Sequence, residues 1–211
     1  MHSEPDAACA LCPRLADFRS DNQAEQPGWF NAPVPSFGVI AGRLAIVGLA
    51  PGLRGANRTG RPFTGDFAGN LLYETLHDFG FSKGSYDARP DDGLSLNDCL
   101  ITNAVCCVPP QNKPTGQEIK NCRPFLLKQL QAMPNLRVIL AVGRIAHESL
   151  VSAFQEKRVS FPFSHGAQHR LPQEIALFDS YHCSRYNTNT GRLTPAMFRQ
   201  VFDSIKAYLG Q

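Results

Sequence analysis

Three polar side chains sit where they could act on a bound molecule. Asp66 follows a glycine-rich run, Asn103 closes an apolar stretch and His182 follows another. A carboxylate can hold a water or face a developing positive charge, and a carboxamide can donate and accept side by side. An imidazole can donate to an oxygen that gains charge. Each also has an ordinary structural use. Aspartate before Phe67-Ala68-Gly69 is a helix N-cap, asparagine in an apolar run is a satisfied buried amide, and a lone histidine is a hydrogen-bonded structural residue. Gly48 and Gly52 let main chain approach a flat ligand, with Ala50 and Pro51 between them. The run is neither a G-x-G-x-x-G fingerprint nor a P-loop. Cys9 and Cys12 form a C-x2-C, while Cys107 and Cys122 are separated by fourteen residues. Together they offer four thiolates, which suit an iron-sulfur cluster or a zinc ion equally by spacing.

These residues need a scaffold, and the apolar pattern predicts one. Runs at Leu44–Val47, Leu100–Val105, Val138–Val142 and Ile175–Phe178 read as buried parallel strands. Helical patterns fall at Ala68–Phe79, Gln117–Gln131, Ile145–Phe154 and Pro195–Leu209. Thr115 and Glu118 form a capping box, and Thr194, Pro195 and Gly210 bracket the last helix. Alternating strands and helices predict a single-domain, three-layer α/β/α fold around a central four-stranded parallel sheet. Ligands bind beyond the carboxyl ends of such strands, which places the chemistry in the loops Gly48–Asp66, Cys106–Pro114 and Tyr181–Leu193. Ala24–Phe37 reads as an irregular approach to the first strand.

Composition narrows the class. The 211 residues are 43% hydrophobic and 18% charged, enough to bury one core spanning residues 1–211. No apolar run reaches the ~18 residues of a membrane span, and Met1–Cys9 has neither a basic start nor a hydrophobic stretch, so a cytoplasmic protein without membrane contact is expected. A net charge of +3 permits nucleic-acid binding without arguing for it. Arg54, Arg58, Arg61, Lys113, Arg185 and Arg192 lie in loop segments, where a solvated surface is the simplest use. Cys99 reads as a small buried hydrophobe. His165 and His169 read as surface or rim residues, and His147 receives no function.

The string Gly48-Leu-Ala-Pro-Gly52, followed by Gly55-Ala-Asn-Arg-Thr-Gly-Arg-Pro-Phe63-Thr-Gly-Asp66, closely resembles the first motif of family 5 of the uracil-DNA glycosylase superfamily. These are the type b enzymes of bacteria and archaea. Thr102-Asn103-Ala-Val-Cys-Cys-Val-Pro-Pro-Gln-Asn-Lys-Pro-Thr115 resembles the [4Fe-4S] pattern of families 4 and 5. His182-Cys183-Ser184 stands where many members have His-Pro-Ser, which leaves Cys183 unassigned.

The resemblance implies a uracil-DNA glycosylase-like fold and a monofunctional enzyme. Such an enzyme hydrolyses the bond between uracil, or another deaminated base, and the sugar of DNA during base excision repair. It implies that Asp66 orients the water and stabilises the sugar cation, that Phe63 stacks on the flipped base, and that Asn103 reads the uracil edge. His182 would donate to the carbonyl oxygen of the leaving base. Gly48, Ala50, Pro51 and Gly52 would line the base site. Arg54, Arg58, Arg61, Lys113, Arg185, Tyr186 and Arg192 would contact DNA. Cys9, Cys12, Cys107 and Cys122 would hold a structural [4Fe-4S] cluster that staples segment 1–40, with Cys106 the competitor of Cys107. No divalent metal is required, and a monomer is expected. Sister families place an acid or amide at the position of Ala50, so a uracil- or DNA-binding module that does not cut is the alternative. A metal-dependent nucleotide hydrolase using Asp66 is a third reading.

Overall fold

A computed structural model of the protein describes residues 4–210. Residues 1–3 and 211, the ends of the expected domain, lie outside the described range. The chain begins with helix α1 (Pro13–Glu25) and the two-residue strand β1 (Phe37–Gly38). It continues through β2 (Leu44–Gly48), a single helical turn α2 (Ala56–Thr59) and α3 (Phe67–Asp78). A small hairpin of β3 (Ser82–Lys83) and β4 (Ser95–Leu96) precedes β5 (Cys99–Asn103). Then come α4 (Gly116–Gln131), β6 (Val138–Val142), α5 (Arg144–Ala153), β7 (Gln168–Arg170), β8 (Ala176–Ser180), the short α6 (Arg185–Asn189) and α7 (Pro195–Leu209).

The four apolar runs form the parallel centre of the sheet, in the order β5-β2-β6-β8. Every residue of these four strands is buried, as expected when helices cover both faces. The expected four-stranded parallel sheet is enlarged by two short edge strands, β1 on β5 and β7 on β8. Both are antiparallel, which makes a mixed six-stranded sheet. Neither edge carries an apolar run long enough to announce itself.

Side chains alternate between two cores along each strand. Leu44, Ile46, Leu140 and Phe178 pack with Leu72, Leu76, Phe198 and Phe202 of α3 and α7. Ala45, Val47, Ile139 and Leu177 pack with Leu126, Leu130, Leu150 and Val151 of α4 and α5. Thr115 and Glu118 close the expected capping box of α4, and Thr194 caps α7. Helix α1 lacks an apolar stripe: its buried positions are Leu15, Arg19 and Asn22, at helical spacing but mostly polar. It packs against Val105 and Cys107 just beyond β5.

Candidate active site

The carboxyl ends of β2, β5 and β8 converge, because the parallel register sets Gly48 beside Asn103 and β8 delivers the chain to His182 two residues past its end. The ladder continues beyond the strands, with Ala104 and Val105 donating to the carbonyls of Gly48 and Leu49 at 2.9 Å. That fixes the first turn of the glycine-rich loop. Gly48 itself does not line the cleft. A Cβ there would lie 2.5 Å from Asn103 Oδ1 and 2.7 Å from Phe63 Cζ, so its missing side chain lets amide and ring approach each other. Phe63 has φ +53, a conformation that costs a bulky residue of order 1–2 kcal/mol. Tyr73 of α3 and Tyr86 of the β3–β4 connection hold it there, their hydroxyls donating to the carbonyls of Pro62 and Phe63.

The resulting cleft has a volume of about 360 Å³ and is lined by Ala50, Pro51, Gly52, Phe63, Asp66, Asn103 and His182 among others. Asn103 is only 5% exposed, and its amide hydrogen-bonds to no described residue, which leaves a donor and an acceptor for a ligand. The Phe63 and His182 rings lie 6.0 Å apart at 25° and form adjoining parts of one wall. Burial pushes the His182 imidazole down to about 4, so the ring is neutral at physiological pH. Its nitrogens meet no described partner, while its carbonyl accepts from the Asn187 amide at 2.8 Å.

Asp66 is both the N-cap of α3 and a wall of the cleft. One oxygen accepts from the Gly69 amide at 3.3 Å. The other lies against Gly55, where a Cβ would come within 2.5 Å of it. Burial raises its pKa, and the amides of Gly69 and Ala68 oppose that rise.

The cleft brings together most of the residues expected there and adds Asn112, Phe67 and Ser184. Asn112 follows Gln111 in a loop where both residues have positive φ. The string Pro109-Pro110-Gln111-Asn112-Lys113-Pro114 marked a turn but gave no sign that Asn112 would reach the cleft. Arg54, Arg58, Lys113 and Arg192 are exposed. Arg185 lines the cleft and covers the Phe67 ring at 5.3 Å, and Tyr186 is 72% exposed. Arg61 does not belong to this surface, contrary to expectation. It is 5% exposed, makes a bidentate pair with Asp92 at 2.8 and 2.7 Å, and lies over the rings of Phe37, Tyr73 and Tyr86.

A second cavity is lined by Cys9, Cys12, Cys107 and Cys122, together with Leu15, Val105 and Phe125. Donors point at its sulfurs. Arg19 reaches Cys107 Sγ at 3.0 Å, Asn121 reaches Cys12 Sγ at 3.5 Å, and the Cys106 amide reaches Cys122 Sγ at 3.4 Å. Cys106 is buried beside Cys122 and is not part of the cavity wall. Cys99 and Cys183 are fully buried elsewhere in the core.

Known proteins resemble this chain along nearly its whole length. Residues 35–206 match the model of the uracil DNA glycosylase superfamily. The type-5 uracil-DNA glycosylase of Thermus thermophilus is 44% identical over 209 residues, covering 96% of this chain and 94% of its own length. The Mycobacterium leprae protein of the same name is 40% identical, covering 97% and 93%. That of Pyrobaculum aerophilum is 36% identical, covering 96% and 89%. A type-4 enzyme of Archaeoglobus fulgidus matches 57% of this chain at 37% identity. A chain matched by that family model over residues 35–206, and by type-5 relatives along nearly its whole length, belongs to the uracil DNA glycosylase superfamily and to its type-5 family.

Proposed function

We propose that this chain is a monofunctional uracil-DNA glycosylase that acts as a single-domain monomer on a nucleotide flipped out of DNA. The observation that carries the reading is the Asn103 amide, without a partner among the described residues and buried beside an aromatic ring and a neutral imidazole in one cleft. The amide would accept from N3–H of uracil and donate to O4 in one plane. The Phe63 ring would take the face of the base. As the bond to the sugar lengthens, negative charge grows on the pyrimidine oxygens, and His182 would donate its N–H to O2. A neutral donor that needs no reorganisation suits this step, because it stabilises charge only as charge develops.

Asp66 would face the sugar on the side from which water enters. Its ionised carboxylate stabilises the oxocarbenium-like sugar and orients the water, which attacks as the base departs and leaves an abasic site. The methyl group of Ala50 can do neither and leaves space beside the base, in keeping with other deaminated bases as substrates. Arg54, Arg58, Lys113, Arg185 and Arg192 would neutralise phosphates, with Tyr186 beside the extruded nucleotide.

Four cysteines around the second cavity, with donors on three of their sulfurs, support a bound [4Fe-4S] cluster. Cys9, Cys12, Cys107 and Cys122 would be the ligands, and Arg19 and Asn121 would donate to their sulfurs. When bound, the cluster supplies thiolate bonds that tie the segment before α1 to the loop after Asn103. No step of the hydrolysis needs it.

The test is a uracil-containing oligonucleotide treated with the protein and then with alkali, for the wild type and for Asp66→Asn, Asn103→Ala and His182→Ala. Cleavage that falls in all three variants supports these roles. Binding without cleavage by the wild type supports the non-cutting module instead, and equal activity in all four overturns the site.

A further inference from the structure

His147 on α5, His169 on β7 and Asp179 on β8 meet at the edge of the sheet, away from the cleft. Asp179 Oδ1 lies 2.7 Å from His147 Nδ1, and Oδ2 lies 3.2 Å from His169 Nε2. One ligand atom from each residue lies within 4.8 Å of the other two. The Asp179 and His147 side chains are 0% and 1% exposed, and a carboxylate so placed needs positive charge beside it. The other nitrogen of His147 supplies a second observation. His147 Nε2 is 2.8 Å from the Phe161 carbonyl oxygen, which can only accept, so Nε2 carries a proton. Nδ1 is then a lone pair directed at the acidic group, unless a second proton sits there. A histidine whose outer N–H is fixed on a backbone carbonyl is the usual arrangement around a metal. The rings of Phe163 and Phe161 lie 5.6 Å from His147 and His169 and keep the surroundings apolar. His169 remains 12% exposed and offers a way in from solvent. His165 is not part of the group, because its Nδ1 accepts from the Tyr181 amide at 3.2 Å.

We propose that His147, His169 and Asp179 form a binding site for one divalent cation of the zinc class, held by two imidazole nitrogens and a carboxylate oxygen, with water in the fourth position. Two imidazole donors and a carboxylate select a small first-row ion over calcium or magnesium. The ion neutralises Asp179 and ties α5 to β7 and β8, and it takes no part in the cleft's chemistry. The competing occupant is a proton that makes His147 an imidazolium clamped between Asp179 and Phe161.

Crystals of the holoprotein soaked in zinc chloride, measured for anomalous scattering above and below the zinc edge, distinguish the two occupants and separate zinc from iron. The expected result is a zinc peak about 2.1 Å from His147 Nδ1, His169 Nε2 and one Asp179 oxygen. In solution, holoprotein titrated with zinc by calorimetry should bind one ion more per chain than His169→Ala. The folding of that variant is checked by its melting curve in EDTA. Zinc found only at the cysteines, no peak at all, or equal stoichiometry in the two proteins overturns the proposal.

Discussion

Alanine at position 48 tests whether the cleft works as one unit. Gly48 is the last residue of β2, and its backbone stays in the ordinary strand region, so alanine is conformationally acceptable there. The added methyl would lie 2.5 Å from Asn103 Oδ1 and 2.7 Å from Phe63 Cζ, where ordinary contact begins at 3.4 Å. Amide and ring must therefore retreat by about 0.9 and 0.7 Å, the differences between those values. Overpacking on this scale costs about 1–3 kcal/mol of stability. A misplacement near 1 Å at a reacting site costs on the order of 100-fold in rate. Gly48→Ala should thus lower the melting temperature modestly and reduce the single-turnover rate on a uracil oligonucleotide by about two orders of magnitude. The loss should be largely shared with Asn103→Ala in a double mutant, since both changes remove the same contact. A Gly48→Ala protein that cuts at the wild-type rate would refute the idea that Asn103 and Phe63 are held against each other for catalysis.

Removing the imidazole in His182→Ala should cost roughly 3 kcal/mol of transition-state stabilisation, read as a fall of about two orders of magnitude in single-turnover rate. Because burial holds His182 down to about 4, the wild-type rate should be level between about pH 6 and 8. An inflection near 6.5 that vanishes in His182→Asn contradicts the neutral donor. Asp92→Ala strands the Arg61 guanidinium in the interior and should destabilise the fold by about 3–5 kcal/mol in urea titrations. Arg61→Met should leave the salt dependence of DNA binding unchanged, and a shallower slope would return Arg61 to the DNA surface. Replacing Arg19 by Met removes the donor to Cys107 Sγ and to the Cys9 carbonyl. It should lower the iron content per chain and the visible absorbance of the purified protein, and unchanged values refute that role.

The parallel strands could be read from sequence because burial on both faces demands unbroken apolar runs, and Leu44–Val47 and Val138–Val142 have them. The edges could not. Phe37-Gly38 and Gln168-His169-Arg170 are short, and the second is polar, so nothing local separates them from loop. Helix α1 escaped for a related reason: its buried face carries Arg19 and Asn22, whose partners are cysteine sulfur and main-chain carbonyls. Asp66, Asn103 and His182 could be singled out because each lies at or beyond the carboxyl end of a legible strand. Arg61 misled because loop composition reports a cation and not its partner, and Asp92 lies 31 residues away. The grouping of His147, His169 and Asp179 was invisible for the same reason, as three elements must fold before the residues meet.

Asp66 shows why local and functional readings of one residue need not compete. As an N-cap it gives up one oxygen to the first turn of α3, and that bond holds the carboxylate in a single orientation. Gly55 lets the loop close over the second oxygen without a side chain in the way. Burial alone would favour the neutral acid, while the amides of Ala68 and Gly69 favour the anion, and both are supplied by the helix that Asp66 caps. The helix start therefore aims the carboxylate and helps keep it charged, the two properties that its proposed water-orienting role requires. A cap formed by serine would begin the helix equally well and supply neither.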